Sequence, residues 1–165
     1  IVVEANSPSI FLGYWGNEKE TNNKIINGWL HTGDYATFDN EGYFYFKGRK
    51  DDIINTSGYR VGPTEIENSI LSLNEVEMVA VIGVPDEVRG EIIKAIVVPK
   101  DKSIIKSSSI DLKKRIREHV KINLAAYEYP RLIEFKKDLP LTTTGKIKRN
   151  ILRKDHLEEK YERKI

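Results

Sequence analysis

The sequence predicts an α+β protein: a β-rich piece over residues 1–50, then a small sheet with two or three flanking helices over 51–165. Three observations lead there. Before Gly48, apolar and aromatic residues come in short runs punctuated by Gly13, Gly16, Gly28 and Gly33. Two apolar runs of strand length, 76–84 and 92–98, are each closed by a proline. Around them, apolar residues recur at helical spacing, as Ile66, Ile70 and Leu73 and then as Leu112, Ile116 and Val120.

The elements follow in chain order. Ile1-Val2-Val3-Glu4-Ala5 reads as a strand entered midway, with no initiator methionine and no signal peptide, so a fragment of a longer protein is expected. Residues 35–38 form a short strand, and Asp39-Asn40-Glu41-Gly42 a turn with glycine where a positive φ is needed. Tyr43-Phe44-Tyr45-Phe46 continues as a strand whose unbroken aromatics predict contact on both faces. Gly62-Pro63 opens a helix, proline suiting the first turn, and Glu65 and Glu67 suit the positive end of its dipole. The strands at 76–84 and 92–98 end at Pro85-Asp86 and Pro99. Residues 100–108 make a polar linker expected to be mobile, and Ser109 can cap the next helix. Pro130 stops that helical region, 132–135 is a further strand, and roughly 148–161 is a polar helix.

Composition narrows the function classes. The chain has 165 residues, 39% apolar and 32% charged, which suits one or two small domains. No apolar run approaches the roughly 20 residues that span a bilayer. There is no cysteine, which excludes disulfides and thiolate metal sites. That fits a reducing compartment; a cytoplasmic setting is expected, with an organellar one left open. The net charge of +2 hides an asymmetry: residues 1–110 carry 11 basic and 16 acidic side chains, residues 111–165 carry 16 and 9. Such a basic half steers phosphates, or is the solvated side of two helices.

Several local patterns offer chemistry beside an ordinary structural reading. Asp34, after Gly33, could accept from two vicinal hydroxyls such as those of ribose, or simply shape a turn. Arg49 could pair with a phosphate or with Asp51 and Asp52. Gly58 and Gly62, around Tyr59-Arg60, let a backbone approach a ligand closely and serve turns equally well. Gly145-Lys146 is not a P-loop, which needs glycine where Pro140 stands and Ser or Thr where Ile147 stands. A glycine ahead of an extended ammonium still suits delivery of positive charge to a phosphoryl group, with a solvated loop lysine as the alternative. His31, His119 and His156 show no metal-ligand spacing, so no metal site is expected. No Gly-x-Ser-x-Gly elbow is present.

In combination these segments resemble the acyl-adenylate-forming enzymes, the superfamily of acyl-CoA synthetases, peptide-synthetase adenylation domains and luciferases. Gly28-Trp29-Leu30-His31-Thr32-Gly33-Asp34, Gly48-Arg49-Lys50-Asp51-Asp52-Ile53-Ile54 and residues 140–146 match its late motifs in order, over nearly the whole chain. Ser57-Gly58-Tyr59-Arg60-Val61-Gly62-Pro63, Arg89-Gly90-Glu91 and Tyr129-Pro130-Arg131 look most like the short- and medium-chain acyl-CoA synthetase branch.

The resemblance implies a two-step reaction. A carboxylate attacks the ATP α-phosphate, with Mg²⁺, giving acyl-AMP and releasing pyrophosphate; the thiol of CoA then displaces AMP to give the thioester. Residues 1–50 would be the end of a large N-terminal domain and 51–165 a mobile C-terminal domain. Asp34 would hold the ribose hydroxyls, Arg49 and Arg60 would serve the nucleotide, and Lys146 would neutralise charge on the α-phosphate. Asp51 falls on the family's hinge. Gly58 would line the pantetheine tunnel, with Ser57 and Tyr59 beside it. Arg89, Lys121, Tyr129, Pro130 and Arg131 correspond to contacts with the nucleotide end of CoA. The phosphate loop, the metal-binding glutamate and the acyl pocket would lie in the missing N-terminal domain. The rival readings are an adenylation enzyme loading a carrier protein, a regulatory nucleotide sensor, and a basic nucleic-acid-binding module. The last would interleave aromatics with its basic residues, which this chain does not do.

Overall fold

The computed structural model describes residues 1–107 and 110–162. The chain divides into two compact units, Ile1–Asp51 and Asp52–Ile165.

The first unit holds two small antiparallel sheets. Strand β1 (Val2–Glu4) pairs with β3 (Trp29–His31), which pairs with β2 (Ile25–Ile26). Helix α1 (Glu18–Lys24), absent from the sequence expectation, is capped by Asn17, whose Oδ1 accepts from the Glu20 N–H at 3.1 Å. Strands β4 (Asp34–Phe38) and β5 (Phe44–Arg49) form a hairpin. Its turn is organised by Asp39, whose Oδ1 accepts from the Glu41 and Tyr43 N–H groups, and Gly42 has a φ of 86°. The expectation that 43–46 is contacted on both faces fails. Phe44 is 69% and Phe46 56% exposed, because a two-stranded ribbon carries no second layer.

Every buried hydrophobic side chain among the described residues lies in the second unit. Its sheet runs β10-β9-β6-β7, with β8 along the other edge of β9. The strands are β6 (Ile54–Thr56), β7 (Tyr59–Val61), β8 (Val76–Asp86), β9 (Gly90–Pro99) and β10 (Leu132–Phe135), the last parallel to β9. The helices are α2 (Pro63–Leu71), α3 (Ser103–Ser107), α4 (Ile110–Asn123) and α5 (Arg149–Glu162). The strands β8 and β9 each outrun the expected limits, since their prolines at 85 and 99 sit at the ends of the ladder.

Strand alternation divides the core in two. Val79, Val81, Ile93, Ala95 and Val97 pack with Ile66 and Ile70 of α2 and Leu112, Ile116 and Val120 of α4. Ala80, Ile82, Val84, Ile96 and Val98 face the other way, against Leu139 and Leu152. The expected linker is only partly irregular. Lys100 N–H bonds the Glu75 carbonyl, α3 follows, and Ile104 packs on the first core. The expected cap at Ser109 lies outside the described residues. Glu67 is 8% exposed and accepts from the Val81 N–H at 2.8 Å, so it serves the interior rather than only the helix dipole.

On the α5 side, the buried Lys94 ammonium lies 2.6 Å from Glu134 Oε2 and 3.0 Å from His156 Nδ1. Burial pushes the Glu134 carboxyl up, but the hydrogen bond and charge of Lys94, with Lys136 beside it, outweigh that and hold it below the ordinary glutamate value.

Two outcomes are expected. Ile116→Ala should cost about 2–5 kcal/mol in urea unfolding, as for a fully buried core side chain. Because the folded Glu134 pKa is depressed, its stabilising contribution is present above the unfolded glutamate value of about 4.3 and is lost as pH falls through the folded value. Glu134→Gln should therefore lower the urea midpoint at pH 7 and converge with the parent in acid; a gap independent of pH would contradict this.

Candidate functional site

In the first unit the β4–β5 register makes Asp34 and Arg49 direct partners. Arg49 Nη1 donates to Asp34 Oδ1 at 3.2 Å and to the Thr32 carbonyl at 3.3 Å. Gly33 has a φ of +80°, and a Cβ there would lie 3.2 Å from Arg49 Nη2, so the loop needs glycine for both its conformation and the guanidinium's room. Arg49 thus pairs with Asp34, where the sequence also allowed its neighbour Asp51. A cleft of about 330 Å³ lies beside them, lined by Lys24, His31, Gly33, Asp34, Lys50 and Asp51. A carboxylate with one oxygen tied to an arginine can offer the other to a hydroxyl donor in such a cleft. Asp51 is exposed in a single 3₁₀ turn and is the last residue of this unit.

In the second unit Ser57 and Gly58 form the two-residue turn of the β6–β7 hairpin, with φ of 50° and 83°. Positive φ at both positions is the hairpin turn that matches strand twist. A Cβ at Gly58 would meet nothing within 4 Å, so the ground outside this turn is open. The Ser57 N–H donates to the Arg89 carbonyl at 3.0 Å, and the Arg89 N–H to Asp86 Oδ1 at 2.9 Å, which docks the hairpin on the β8–β9 turn. Tyr59 stacks on Tyr127 with centroids 4.1 Å apart and planes at 7°. Arg60 is exposed on the opposite side of its strand from Tyr59, so these neighbours do not share a surface.

Lys121, Tyr129 and Arg131 come together. The Lys121 ammonium lies 4.8 Å and the Arg131 guanidinium carbon 5.4 Å from the centre of the Tyr129 ring, both as cation–π contacts. Pro130 is buried between them in sequence, and the Arg131 N–H bonds the Ile93 carbonyl at 3.0 Å. The Tyr59–Tyr127 stack ties the hairpin to the segment just before Tyr129. Tyr127 carried no signal of its own in the sequence.

Lys146 sits in a tight loop. The Thr142 N–H donates to the Lys146 carbonyl at 2.7 Å, the Lys146 N–H to Thr142 Oγ1 at 3.0 Å, and Gly145 has a φ of 80°. The Lys146 side chain is exposed, and its ammonium has no ion-pair partner among the described residues. Leu139 and Ile147, which flank the loop, pack on the Ile82–Ile96 side of the sheet, whereas Ile54 and Val61 of the Gly58 hairpin pack on the Val81–Ala95 side. The residues flanking Lys146 thus pack on one face of the sheet, while the Ser57–Gly58 turn closes two strands of the sheet itself, whose buried side chains point to the other face.

An ion network that sequence reasoning missed lies just beyond Lys146. Arg149 donates to Glu67 Oε1 and Oε2 at 2.8 and 2.7 Å and to Asp52 Oδ2 at 3.3 Å, and Arg153 donates to Asp52 Oδ1 at 2.8 Å. One signal was available: Arg149 opens a helix at the dipole end that disfavours cations. Among the described residues no three His, Cys, Asp or Glu side chains cluster as a metal site. No described helix is long and apolar enough to cross a membrane.

Known proteins resemble this chain in sequence and fold. Residues 65–146 match the AMP-binding enzyme C-terminal domain model. The chain is 48% identical to 4-hydroxybutyrate–CoA ligase 1 of Metallosphaera sedula over 92% of its length and 26% of that protein. It is 43% identical to the mitochondrial acyl-coenzyme A synthetase ACSM1 of Homo sapiens, over 88% of its length and 25% of that protein. It superposes on the anthranilate CoA ligase AuaEII, solved with anthranoyl-AMP, with a TM-score of 0.80 and 38% identity over 90% of this chain and 28% of that one. For ATP-bound MatB from Rhodopseudomonas palustris the TM-score is 0.76 and the identity 34%, over 92% of this chain and 29% of that one. The chain spans about a quarter of the length of the curated relatives. It belongs to the acyl-adenylate-forming enzymes and carries their AMP-binding C-terminal domain.

Proposed function

We propose that this chain is the C-terminal part of an acyl-CoA synthetase. The parent enzyme activates a short- or medium-chain carboxylic acid with ATP to acyl-AMP, then transfers the acyl group to CoA. The observation that carries this reading is that the Lys146 loop packs on one face of the sheet while the Gly58 turn closes a hairpin of that sheet whose buried side chains point to the other face. Adenylation needs a cation at the anionic α-phosphorane, and an unpaired ammonium on a short loop supplies it. Thioester formation needs the same acyl carbon opened to a thiol, so the first group must withdraw. A domain that turns about Asp51 presents Lys146 in one pose and the Gly58 turn in the other.

The remaining residues take supporting roles. Asp34, held by Arg49, receives the ribose hydroxyls, and Arg60 serves the nucleotide phosphates. Ser57, Gly58 and Tyr59 flank the pantetheine arm. Arg89, Lys121, Tyr129, Pro130 and Arg131 take the nucleotide end of CoA, where two cations beside an aromatic ring suit phosphates and a base. A carrier protein's pantetheine arm lacks that nucleotide end, so this cluster favours free CoA over carrier loading. Mg²⁺ is assigned to no residue here; it would accompany ATP in the part of the enzyme preceding this chain.

In the longer enzyme, Lys146→Ala should slow ATP–pyrophosphate exchange about 10²–10³-fold, the usual effect of removing one preorganised electrostatic group. It should leave CoA transfer from supplied acyl-AMP within a few-fold. Gly58→Leu, strained by its positive φ and projecting into the open ground, should do the reverse. Equal losses in both half-reactions for either variant would count against the two-face reading. The 165-residue chain by itself should show no ligation turnover, and measurable thioester formation by it would overturn the fragment reading.

A further inference from the structure

Arg149 stands in an electrostatically awkward place. It opens α5, where the helix dipole disfavours a cation. It is largely buried, and its Nε is buried without an acceptor. The head group is held through its terminal nitrogens, by both oxygens of Glu67 and by Asp52. Stability alone is met as well or better by apolar residues at such a site. What the network accomplishes is positional. Glu67 belongs to α2 and is tied to β8 through the Val81 N–H; Asp52 is the first residue of the second unit. Arg149 is three residues after Lys146, and the Lys148 N–H bonds the Pro140 carbonyl at 2.8 Å to close the base of the loop. The planar fork of one arginine thus fixes the exit of the Lys146 loop to two separate segments.

We propose that Arg149 is a positioning residue for Lys146: shared between Glu67 and Asp52, it sets where the Lys146 loop stands on its domain, and so sets the rate of adenylation without touching the nucleotide. This rests on the role given to Lys146 above. A misplacement of about 1 Å at such a charge costs on the order of 10²-fold in rate. Thioester formation is assigned to the Gly58 turn and does not depend on the loop.

The test uses the full-length enzyme and both half-reactions. The chosen variant is Arg149→Met with Glu67→Gln, which removes the fork, leaves no unpaired charge at position 67, and keeps an acceptor for the Val81 N–H. Asp52→Asn, which keeps the Glu67–Arg149 pair, is the milder companion if the first does not fold. The double variant is expected to slow ATP–pyrophosphate exchange tenfold or more and to leave CoA transfer from supplied acyl-AMP within threefold. Asp52→Asn is expected to give the same selectivity at threefold or more. Added to Lys146→Ala, either should cause no further loss in exchange, since a group that acts only through Lys146 has nothing left to position. Equal losses in both half-reactions, exchange within twofold of the parent, or losses that add to Lys146→Ala would each overturn the proposal. Lys146→Ala alone separates the two levels: if it leaves exchange intact, the role of Lys146 itself fails; if it abolishes exchange while the Arg149 and Asp52 variants are silent, only the positioning role fails.

Discussion

The β8–β9 ladder is the constraint on which the second unit rests. Both strands are long, and side chains of both parities are buried. An antiparallel pair with two apolar faces must be covered on both, so α2 and α4 close one side and residues around Leu139 with α5 close the other. The candidate residues of the second unit are arranged about that partition. The Gly58 hairpin is part of the sheet and turns Ile54 and Val61 to the first layer, whereas Leu139 and Ile147 beside the Lys146 loop pack in the second.

Charge is distributed according to the same division. The basic surplus of the later residues is not one patch. Lys121 and Arg131 flank Tyr129, Arg149 and Arg153 are taken up by Asp52 and Glu67, and Lys136 lies by Glu134 and Asp155. Lys146 is left with an exposed ammonium and no ion pair among the described residues. A stripe reading a nucleic-acid backbone calls for clustered, unengaged cations on one face, and here most of the cations named are already committed to protein partners.

The first unit obeys a different logic. It has strands, a capped helix and an ordered Asp34–Arg49 corner, yet its aromatic residues from 43 to 46 remain exposed. Hairpins and short meanders satisfy their backbone locally but cannot bury both faces by themselves. On the proposed reading, the missing layer is the remainder of the large domain to which residues 1–50 belong.

Much was legible in the sequence because it depends on local chemistry. Pro63, the helical spacing of Ile66 and Ile70 and of Leu112, Ile116 and Val120, and the apolar runs closed by prolines fix elements through backbone sterics and burial, which act over a few residues. Motif order led to Asp34, Arg49, Gly58 and Lys146. The helix over 18–24 went unread because its residues are polar and its cap is a single asparagine. The exposure of Phe44 and Phe46 could not be read either, since burial depends on what else is present. Nor could the Tyr59–Tyr127 stack or the hold of Glu67 and Asp52 on Arg149, whose partners stand far apart along the chain. By itself the sequence determined the elements, the turn glycines and the family motifs. Only the tertiary structure decided on which face of the sheet each apolar side chain packs and which carboxylates hold Arg149, because charge pairing and packing act through space between residues that the chain order leaves remote.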